Sequence, residues 1–234
     1  MSSPQFSLVI LCYRSEEAII DFVEKVHKLL GWLHNLDYEL ILVGNYWPGS
    51  NDRTPEIVKN LSQKLPRTRC VTVEKKGAMG WDLKTGFAAA QGEYIGYIDG
   101  DGQFPIDTIL PPLYNSLMNN YDLAKTYRVV RGDGLYRLVI STVFNSIFSF
   151  LFGTKYRDVN SKPKIIRGSL LKSMGLESDD WFIDAEIMIK AHQMNLKVIE
   201  LPIHFVENEN RVSFVKFSAL WEFVKNLYKF RFRN

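Results

Sequence analysis

Two aspartates one residue apart follow an apolar run near the middle of the chain, and their spacing is that of a metal-binding pair. The run covers residues 93–98, and Asp99 and Asp101 fall on the same side of its extended end, with glycines that leave room for a ligand. Carboxylate oxygens suit Mg2+ or Mn2+, which keep open positions for substrate phosphates. Gln103 offers a further, neutral oxygen. An ordinary turn after a strand also favours Asp and Gly, so the pair alone leaves both interpretations open.

Length and composition predict a single cytoplasmic α/β domain over residues 1–234. The chain is 46% hydrophobic and 24% charged, and its net charge of +3 is too small to indicate a nucleic-acid partner. Cys12 and Cys70 lie in apparent strands, which favours buried thiols over a disulfide. The first five residues lack the basic and apolar regions of a signal peptide. We therefore expect the chain to begin and remain in the cytoplasm.

Strand and helix patterns alternate through the first half of the chain. Strands are predicted at 6–12, 38–43, 69–74 and 93–99, and helices at 16–32, 54–65 and 81–91. Repeated β-α-β units predict a parallel sheet with right-handed crossovers, whose ligand lies at the carboxyl ends of the strands. Tyr13, Asn45 and the Asp99/Asp101 pair all occupy such ends. Their convergence favours the metal-binding interpretation of the pair.

Six segments, in order, resemble the family-2 glycosyltransferases of GT-A fold, within the branch of dolichol-phosphate mannose synthases and polyprenyl-phosphate glycosyltransferases. The resemblance covers residues 6 to 215. The segments are 9–13 with Glu16 and Glu17, 50–54, 77–86, 99–103, 158–161, and 184–186 followed by 200–202. The resemblance implies a GT-A, Rossmann-like fold with a mainly parallel sheet. It also implies a nucleotide-sugar half over about 1–104 and an acceptor half over about 105–213.

For the donor, the resemblance implies that the first two strand ends hold the nucleotide. By position this nominates Tyr13, Glu17 and Asn45, with Lys84 and Asp99 beside the diphosphate. Asp99, Asp101 and Gln103 would hold the divalent cation that neutralises the leaving group. Relatives commonly have two aspartates where this chain has Gly44-Asn45, so the resemblance does not identify the base.

For the acceptor, the resemblance points to the acids that open a late helix. If the acceptor is a hydroxyl, Asp184 or Glu186 is the general base of an in-line, inverting displacement. A lipid phosphate is already anionic and needs less help, so the carboxylate would then orient groups. The phosphate would be bound by arginines, for which the candidates are Arg128, Arg131, Arg137 and Arg167.

Two segments of the second half predict contact with a membrane surface. Residues 135–152 are apolar, but polar side chains interrupt them too often for a bilayer span, and a buried or interfacial helix fits better. Residues 214–232 are aromatic, basic and amphipathic, which is typical of a helix in a membrane interface or of one packed on the domain. We expect the chain to act at the inner face of the membrane.

The sequence thus predicts a metal-dependent inverting glycosyltransferase that moves a sugar from a nucleoside-diphosphate sugar to a polyprenyl phosphate or another lipid-linked acceptor. One alternative is transfer to a sugar hydroxyl in surface polysaccharide synthesis. Another is a nucleotide-sugar-binding subunit without turnover. A nucleotidyltransferase is disfavoured, because no Gly-rich phosphate loop follows the first strand.

Overall fold

The computed structural model describes residues 3–131, 135–205 and 217–232. In these ranges the strands are β1 (Phe6–Leu11), β2 (Tyr38–Val43), β3 (Thr68–Val71), β4 (Tyr94–Asp99), β5 (Leu123–Arg131), β6 (Lys164–Arg167) and β7 (Val198–Phe205). The α-helices are α1 (Ala18–Gly31), α2 (Thr54–Lys64), α3 (Met79–Ala89), α4 (Leu110–Asn119), α5 (Leu135–Phe152), α6 (Gly168–Ser173), α7 (Ile183–Gln193) and α8 (Phe217–Phe232). A short 3-10 helix, Ile106–Ile109, precedes α4.

The strands form one mostly parallel sheet of seven in the order β3-β2-β1-β4-β6-β5-β7. The first four strands are parallel to one another, as the alternating pattern predicts. β6 lies between β4 and β5 and runs antiparallel to both, whereas β5 and β7 are parallel. The α/β architecture with a mainly parallel sheet is therefore confirmed.

Helices cover both faces of the sheet, because side chains of successive strand residues point to opposite sides. In β1, Leu8 and Ile10 pack in the layer that contains α1 and α2. Val9, between them, packs in the layer that contains α3 and α7. All three side chains are fully buried. The strands are thus held rigidly from both sides, and their carboxyl ends form a fixed edge.

Several boundaries differ from the sequence prediction, by one to three residues. β3 ends at Val71 and not at residue 74, although Glu74 still forms an isolated parallel bridge with Tyr46. Helix α3 begins at Met79, two residues earlier than predicted.

No helix in the described ranges is long and apolar enough to cross a bilayer.

Candidate active site at the carboxyl edge of the sheet

The acid pair lies where the sequence predicts, at the carboxyl end of β4. Leu11 and Asp99 are paired in register, so β1 and β4 end at the same level. The Gly100 amide donates to the Leu11 carbonyl at 2.9 Å, and a Cβ at Gly100 would lie 2.4 Å from Ile19 Cδ1. Gly102 has a φ of +72°, a conformation that L side chains rarely adopt. The two glycines therefore let the loop turn tightly against β1 and α1.

The donor set of this loop fits a hard divalent cation. Asp99 is 24% exposed, and Asp101 and Gln103 are also partly exposed. The backbone amide of Gln103 donates a hydrogen bond to Asp101 Oδ1 at 3.0 Å, which orients that carboxylate. In the described part of the chain, no group of three or more His, Cys, Asp or Glu side chains forms a potential metal site. Two carboxylates and one amide are nevertheless the oxygen ligands that Mg2+ and Mn2+ accept alongside water and phosphate.

A chain of buried charges runs from Asp99 into the core. Lys162 Nζ lies 3.0 Å from Asp99 Oδ2 and 3.3 Å from Asp184 Oδ2. Lys164 forms an ion pair with the other oxygen of Asp184, and the Tyr97 hydroxyl donates to that oxygen at 2.6 Å. Burial lowers the pKa of Lys164 to about 8, against the attraction of Asp184. Burial also opposes ionisation of Asp184, but the two ammonium groups outweigh it and hold the pKa of this carboxyl below its usual range.

The two acids predicted as catalytic have buried, structural contacts. Asp184 is 1% exposed and Glu186 is 0% exposed, because both face inward from the first turn of α7. Glu186 accepts hydrogen bonds from the backbone amides of Glu177 at 2.7 Å and Ser178 at 2.8 Å. Both carboxylates are enclosed by protein groups in this structure. This burial does not favour the expected role of general base.

A second buried network surrounds Asn45 and corrects its predicted role. Asn45 is 0% exposed, and its amide donates to Asp82 and to Thr85 Oγ1, each at 2.9 Å. Its carbonyl accepts from the Val73 amide at 3.0 Å. With these partners the buried side chain fixes the loop after β2 and has no exposed surface for a predicted contact with a nucleotide. Lys75 completes the network through a buried ion pair with Asp82.

Tyr13 stands at the surface of this network. Its ring is partly exposed, and Lys75 Nζ lies 4.3 Å from the ring centroid. Burial lowers the pKa of Lys75 and raises the pKa of Asp82, while the attraction between the two groups opposes both changes. Asp82, which the sequence explains only as a carboxylate near a helix start, is thus the counter-ion of Lys75. Tyr13 remains a candidate for contact with the nucleotide.

Glu17 and Lys84 both form ion pairs near the edge of the sheet. Glu17 is 53% exposed and pairs with Arg53 at 2.7 Å. Lys84 pairs with Asp179 at 2.6 Å and donates to the carbonyl of Glu177 at 3.1 Å. These contacts tie Lys84 to the loop before α7. A contact between Lys84 and a diphosphate would therefore require this ion pair to open.

The loop before α7, which contains Ser178, Asp179 and Asp180, covers the start of α3. The backbone amides of Ala78 and Trp81 donate to the backbone carbonyl of Asp179 at 2.7 and 3.2 Å. The Gly80 amide donates to the backbone carbonyl of Asp180 at 3.0 Å. A Cβ at Gly80 would lie 2.3 Å from the Ser178 carbonyl oxygen. Glycine at this position thus permits the close approach of helix and loop.

Arg128, one of the predicted phosphate-binding arginines, forms an ion pair with Asp158. It donates to Asp158 from Nε at 2.6 Å and from a terminal nitrogen at 2.7 Å. Burial opposes ionisation of Asp158, but these hydrogen bonds outweigh it and lower the pKa of Asp158 to about 2. Arg131 ends β5 and Arg137 lies in the first turn of α5, but the side chains of both lie outside the described part of the structure.

Arg167 lies at the end of the sheet opposite the acid pair. It is paired in register with Tyr94, the first residue of β4, whereas Asp99 is the last. Its side chain contacts Glu93 at 3.2 Å and the Tyr94 hydroxyl at 2.7 Å. Because β6 runs antiparallel to β4, its carboxyl end faces away from the acid pair, and this position does not support the predicted contact of Arg167 with an acceptor phosphate beside that pair.

Sequence reasoning missed three buried lysines near the edge, Lys75, Lys162 and Lys164. A signal was available for Lys164, because it directly precedes two isoleucines in a short apolar run and a charge in such a run requires a partner. Lys162 precedes that run by two residues and carried no signal of its own.

The chain is similar in sequence to known glycosyltransferases. The family model described as glycosyl transferase family 2 matches residues 7–175. The dolichol-phosphate mannosyltransferase of Pyrococcus furiosus is 26% identical over 231 residues, which cover 95% of this chain and 62% of that protein. The dodecaprenyl-phosphate galacturonate synthase of Rhizobium johnstonii is 29% identical over 181 residues, covering 75% of this chain and 52% of that protein. The chain thus spans less than two thirds of the length of these relatives.

Solved structures confirm the predicted GT-A fold. The glucosyl-3-phosphoglycerate synthase of Mycobacterium tuberculosis in complex with UDP superimposes with a TM-score of 0.69 at 18% identity, covering 97% of this chain and 79% of that one. The same enzyme with Mn2+, UDP-glucose and phosphoglyceric acid gives a TM-score of 0.68, also at 18% identity and with the same coverage of both chains. The family model accounts for well over half of the chain, and the sheet has the architecture of these transferases. The chain belongs to glycosyl transferase family 2.

Proposed function

We propose that this protein is a metal-dependent, inverting glycosyltransferase that moves a sugar from a nucleoside-diphosphate sugar to a polyprenyl phosphate or a related lipid-linked acceptor. The observation that carries the proposal is the partly exposed pair of Asp99 and Asp101 at the carboxyl edge of a family-2 sheet. Ligands of such sheets bind at this edge. The names of two relatives contain dolichol phosphate and dodecaprenyl phosphate, which supports the acceptor class.

The donor would bind between the ends of β1 and β4. Asp99, Asp101 and Gln103 would hold Mg2+ or Mn2+, which supplies positive charge to the leaving diphosphate. Tyr13 and Glu17 lie beside β1 and are the candidates for contact with the base and ribose. The Glu16 amide donates to Thr54 Oγ1 at 3.0 Å, so the loop after β1 is fixed to the start of α2. This contact would keep the nucleotide-binding loop ordered before the donor arrives.

The burial of the two predicted bases favours an anionic acceptor over a hydroxyl. A hydroxyl nucleophile has to lose its proton, and Asp184 and Glu186 are too deeply buried to accept it. A lipid phosphate carries its negative charge already and attacks without a base. Arg131 and Arg137 remain the candidates for binding that phosphate. Transfer to a sugar hydroxyl in polysaccharide synthesis is thereby the less favoured alternative.

Contact with a membrane surface would bring the lipid phosphate to the site. One side of α5 exposes Val139 at 58%, Val143 at 52% and Phe150 at 88%. Helix α8 packs Leu227 and Phe230 on the domain, and it exposes the aromatic residues Tyr228 and Phe232 beside Lys225 and Arg231. Apolar and basic side chains together favour an anionic lipid surface. The protein would thus bind peripherally, at the inner face of the membrane.

The donor site is tested with Asp101→Asn, which removes a charge and no core volume. We expect this variant to unfold at the wild-type temperature, to lose Mn2+-dependent stabilisation by UDP- or GDP-sugars, and to lose transfer to a short polyprenyl phosphate. Asp107→Asn, an exposed acid in the short helix after the loop, is the matched control. Full metal-dependent transfer by Asp101→Asn would refute the site.

The membrane surface is tested by sedimentation with phosphatidylglycerol vesicles at low salt. Phe150→Ser should reduce binding, whereas Tyr114→Ser should leave it unchanged, because Tyr114 is 60% exposed on α4 at the opposite face of the sheet. Equal binding by both variants and wild type would remove α5 from the membrane contact. Failure of the wild-type protein to sediment would favour a water-soluble acceptor.

A further inference from the structure

Lys162 places a protein cation on the carboxylate that the metal is expected to use. Its Nζ atom lies 3.0 Å from Asp99 Oδ2, and its side chain is only 7% exposed. The same atom lies 3.4 Å from the sulfur of Met79, the first residue of α3. The ammonium group is therefore enclosed between the end of β4 and the start of α3, beside the acid pair.

Lys162 is shared between Asp184 and Asp99. Lys164 is fully buried and already forms an ion pair with Asp184, and Tyr97 donates a hydrogen bond to the same carboxylate. Two ammonium groups therefore face two carboxylates, and the Lys162 ammonium lies slightly closer to Asp99, at 3.0 Å, than to Asp184, at 3.3 Å. The cluster of Asp99, Lys162, Asp184 and Lys164 is thus neutral without any metal.

We propose that Lys162 is an internal competitor for the divalent cation. It neutralises Asp99 in the metal-free protein, and an incoming Mg2+ or Mn2+ has to bind against its positive charge. The inference rests on the metal site of the proposed function. Its consequence is that the resting protein binds the free ion weakly, with an affinity set by one residue outside the ligand set.

Removal of this charge should strengthen metal binding. With Lys162→Met, Asp99 and Asp101 face the cation without a neighbouring ammonium, and like charges at such short range interact strongly even when partly screened. We expect the dissociation constant for Mn2+ to fall about tenfold or more. Lys162→Gln should act in the same direction, and Lys162→Arg, which keeps the charge, should leave the constant within about threefold of wild type.

The test is a titration of each purified variant with Mn2+, in which free Mn2+ is read by electron paramagnetic resonance without substrate. Lys164→Met is the matched control, since Lys164 is also buried against Asp184 but does not contact Asp99. Its Mn2+ affinity should change much less than that of Lys162→Met. Circular dichroism and thermal unfolding establish that each variant is folded.

Three outcomes separate this inference from the metal site itself. Tighter binding by Lys162→Met and Lys162→Gln, with Lys162→Arg near wild type, supports the inference. Unchanged or weaker binding by the two neutral variants overturns it, while loss of Mn2+ binding in Asp101→Asn would still support the site. Wild-type Mn2+ binding by Asp101→Asn would refute the metal site, and the inference with it.

Discussion

Replacing Asp184 with asparagine should destabilise the fold strongly. The substitution keeps the shape of the side chain, but it leaves Lys164 and Lys162, at 0% and 7% exposure, with one buried counter-ion fewer. Breaking a buried ion pair by removing one partner costs about 3–5 kcal/mol of unfolding free energy. For a chain of 234 residues that loss corresponds to a fall in Tm of about 6–20 °C. Urea unfolding and calorimetry of Asp184→Asn measure the two quantities.

A control and a rescue make this prediction specific. Asp179→Asn removes an acid that is 47% exposed in its ion pair with Lys84, and it should cost less than about 1 kcal/mol. The double variant Asp184→Leu/Lys164→Met should recover part of the loss, because it removes both charges together. If Asp184→Asn instead kept the wild-type Tm and donor binding but lost transfer, the structural role would be refuted. Asp184 would then act as the general base.

Three further predictions concern stability. Glu186→Gln should lower the unfolding free energy by about 2 kcal/mol in urea, because the NH2 group of the new glutamine faces one of the two backbone amides that donate to Glu186. An unchanged urea midpoint would contradict the role of Glu186 in holding the loop before α7. The pKa of Asp158 is lowered to about 2 from 3.8, so wild type should lose about 2 kcal/mol of stability as the pH falls from 4 to 2. Asp158→Asn should lose less over that window in acid-titrated thermal unfolding, and parallel curves would exclude the ion pair as the cause. Gly100→Ala should destabilise more than Gly31→Ala in thermal unfolding, because a Cβ at 100 would lie 2.4 Å from Ile19, whereas one at 31 would make only an ordinary contact, 3.6 Å from the Tyr38 hydroxyl. The reverse order would refute the close packing of the loop.

The sequence predicted the sheet and the place of the acid pair because both depend on local pattern. The β-α-β alternation of the first half gives parallel strands, and the end of β4 follows from where its apolar run stops at Asp99. The direction of β6 could not be predicted, since four residues after a long loop carry no periodicity that distinguishes parallel from antiparallel pairing. That direction determines at which end of the sheet Arg167 lies.

The partners of the buried polar and charged side chains could not be predicted from the sequence either. Asn45 and Asp82 are 37 residues apart, and their hydrogen bond depends on how α3 packs beside β2. Lys162 and Asp99 are 63 residues apart and meet only because β6 is inserted next to β4. A single chain indicates which residue types require a partner, but it does not say which distant residue supplies one. The strand ends were therefore predicted from the sequence, whereas the contacts of the buried side chains near them were not.

The cover over the start of α3 limits how the protein can move. Three backbone hydrogen bonds join this helix to Asp179 and Asp180, just ahead of α7, and the absence of a side chain at Gly80 keeps the two segments in direct contact. Helix α3 and the segment before α7 therefore behave as one mechanical unit. A motion that widens the site has to hinge elsewhere, and a side chain introduced at Gly80 would push the two segments apart.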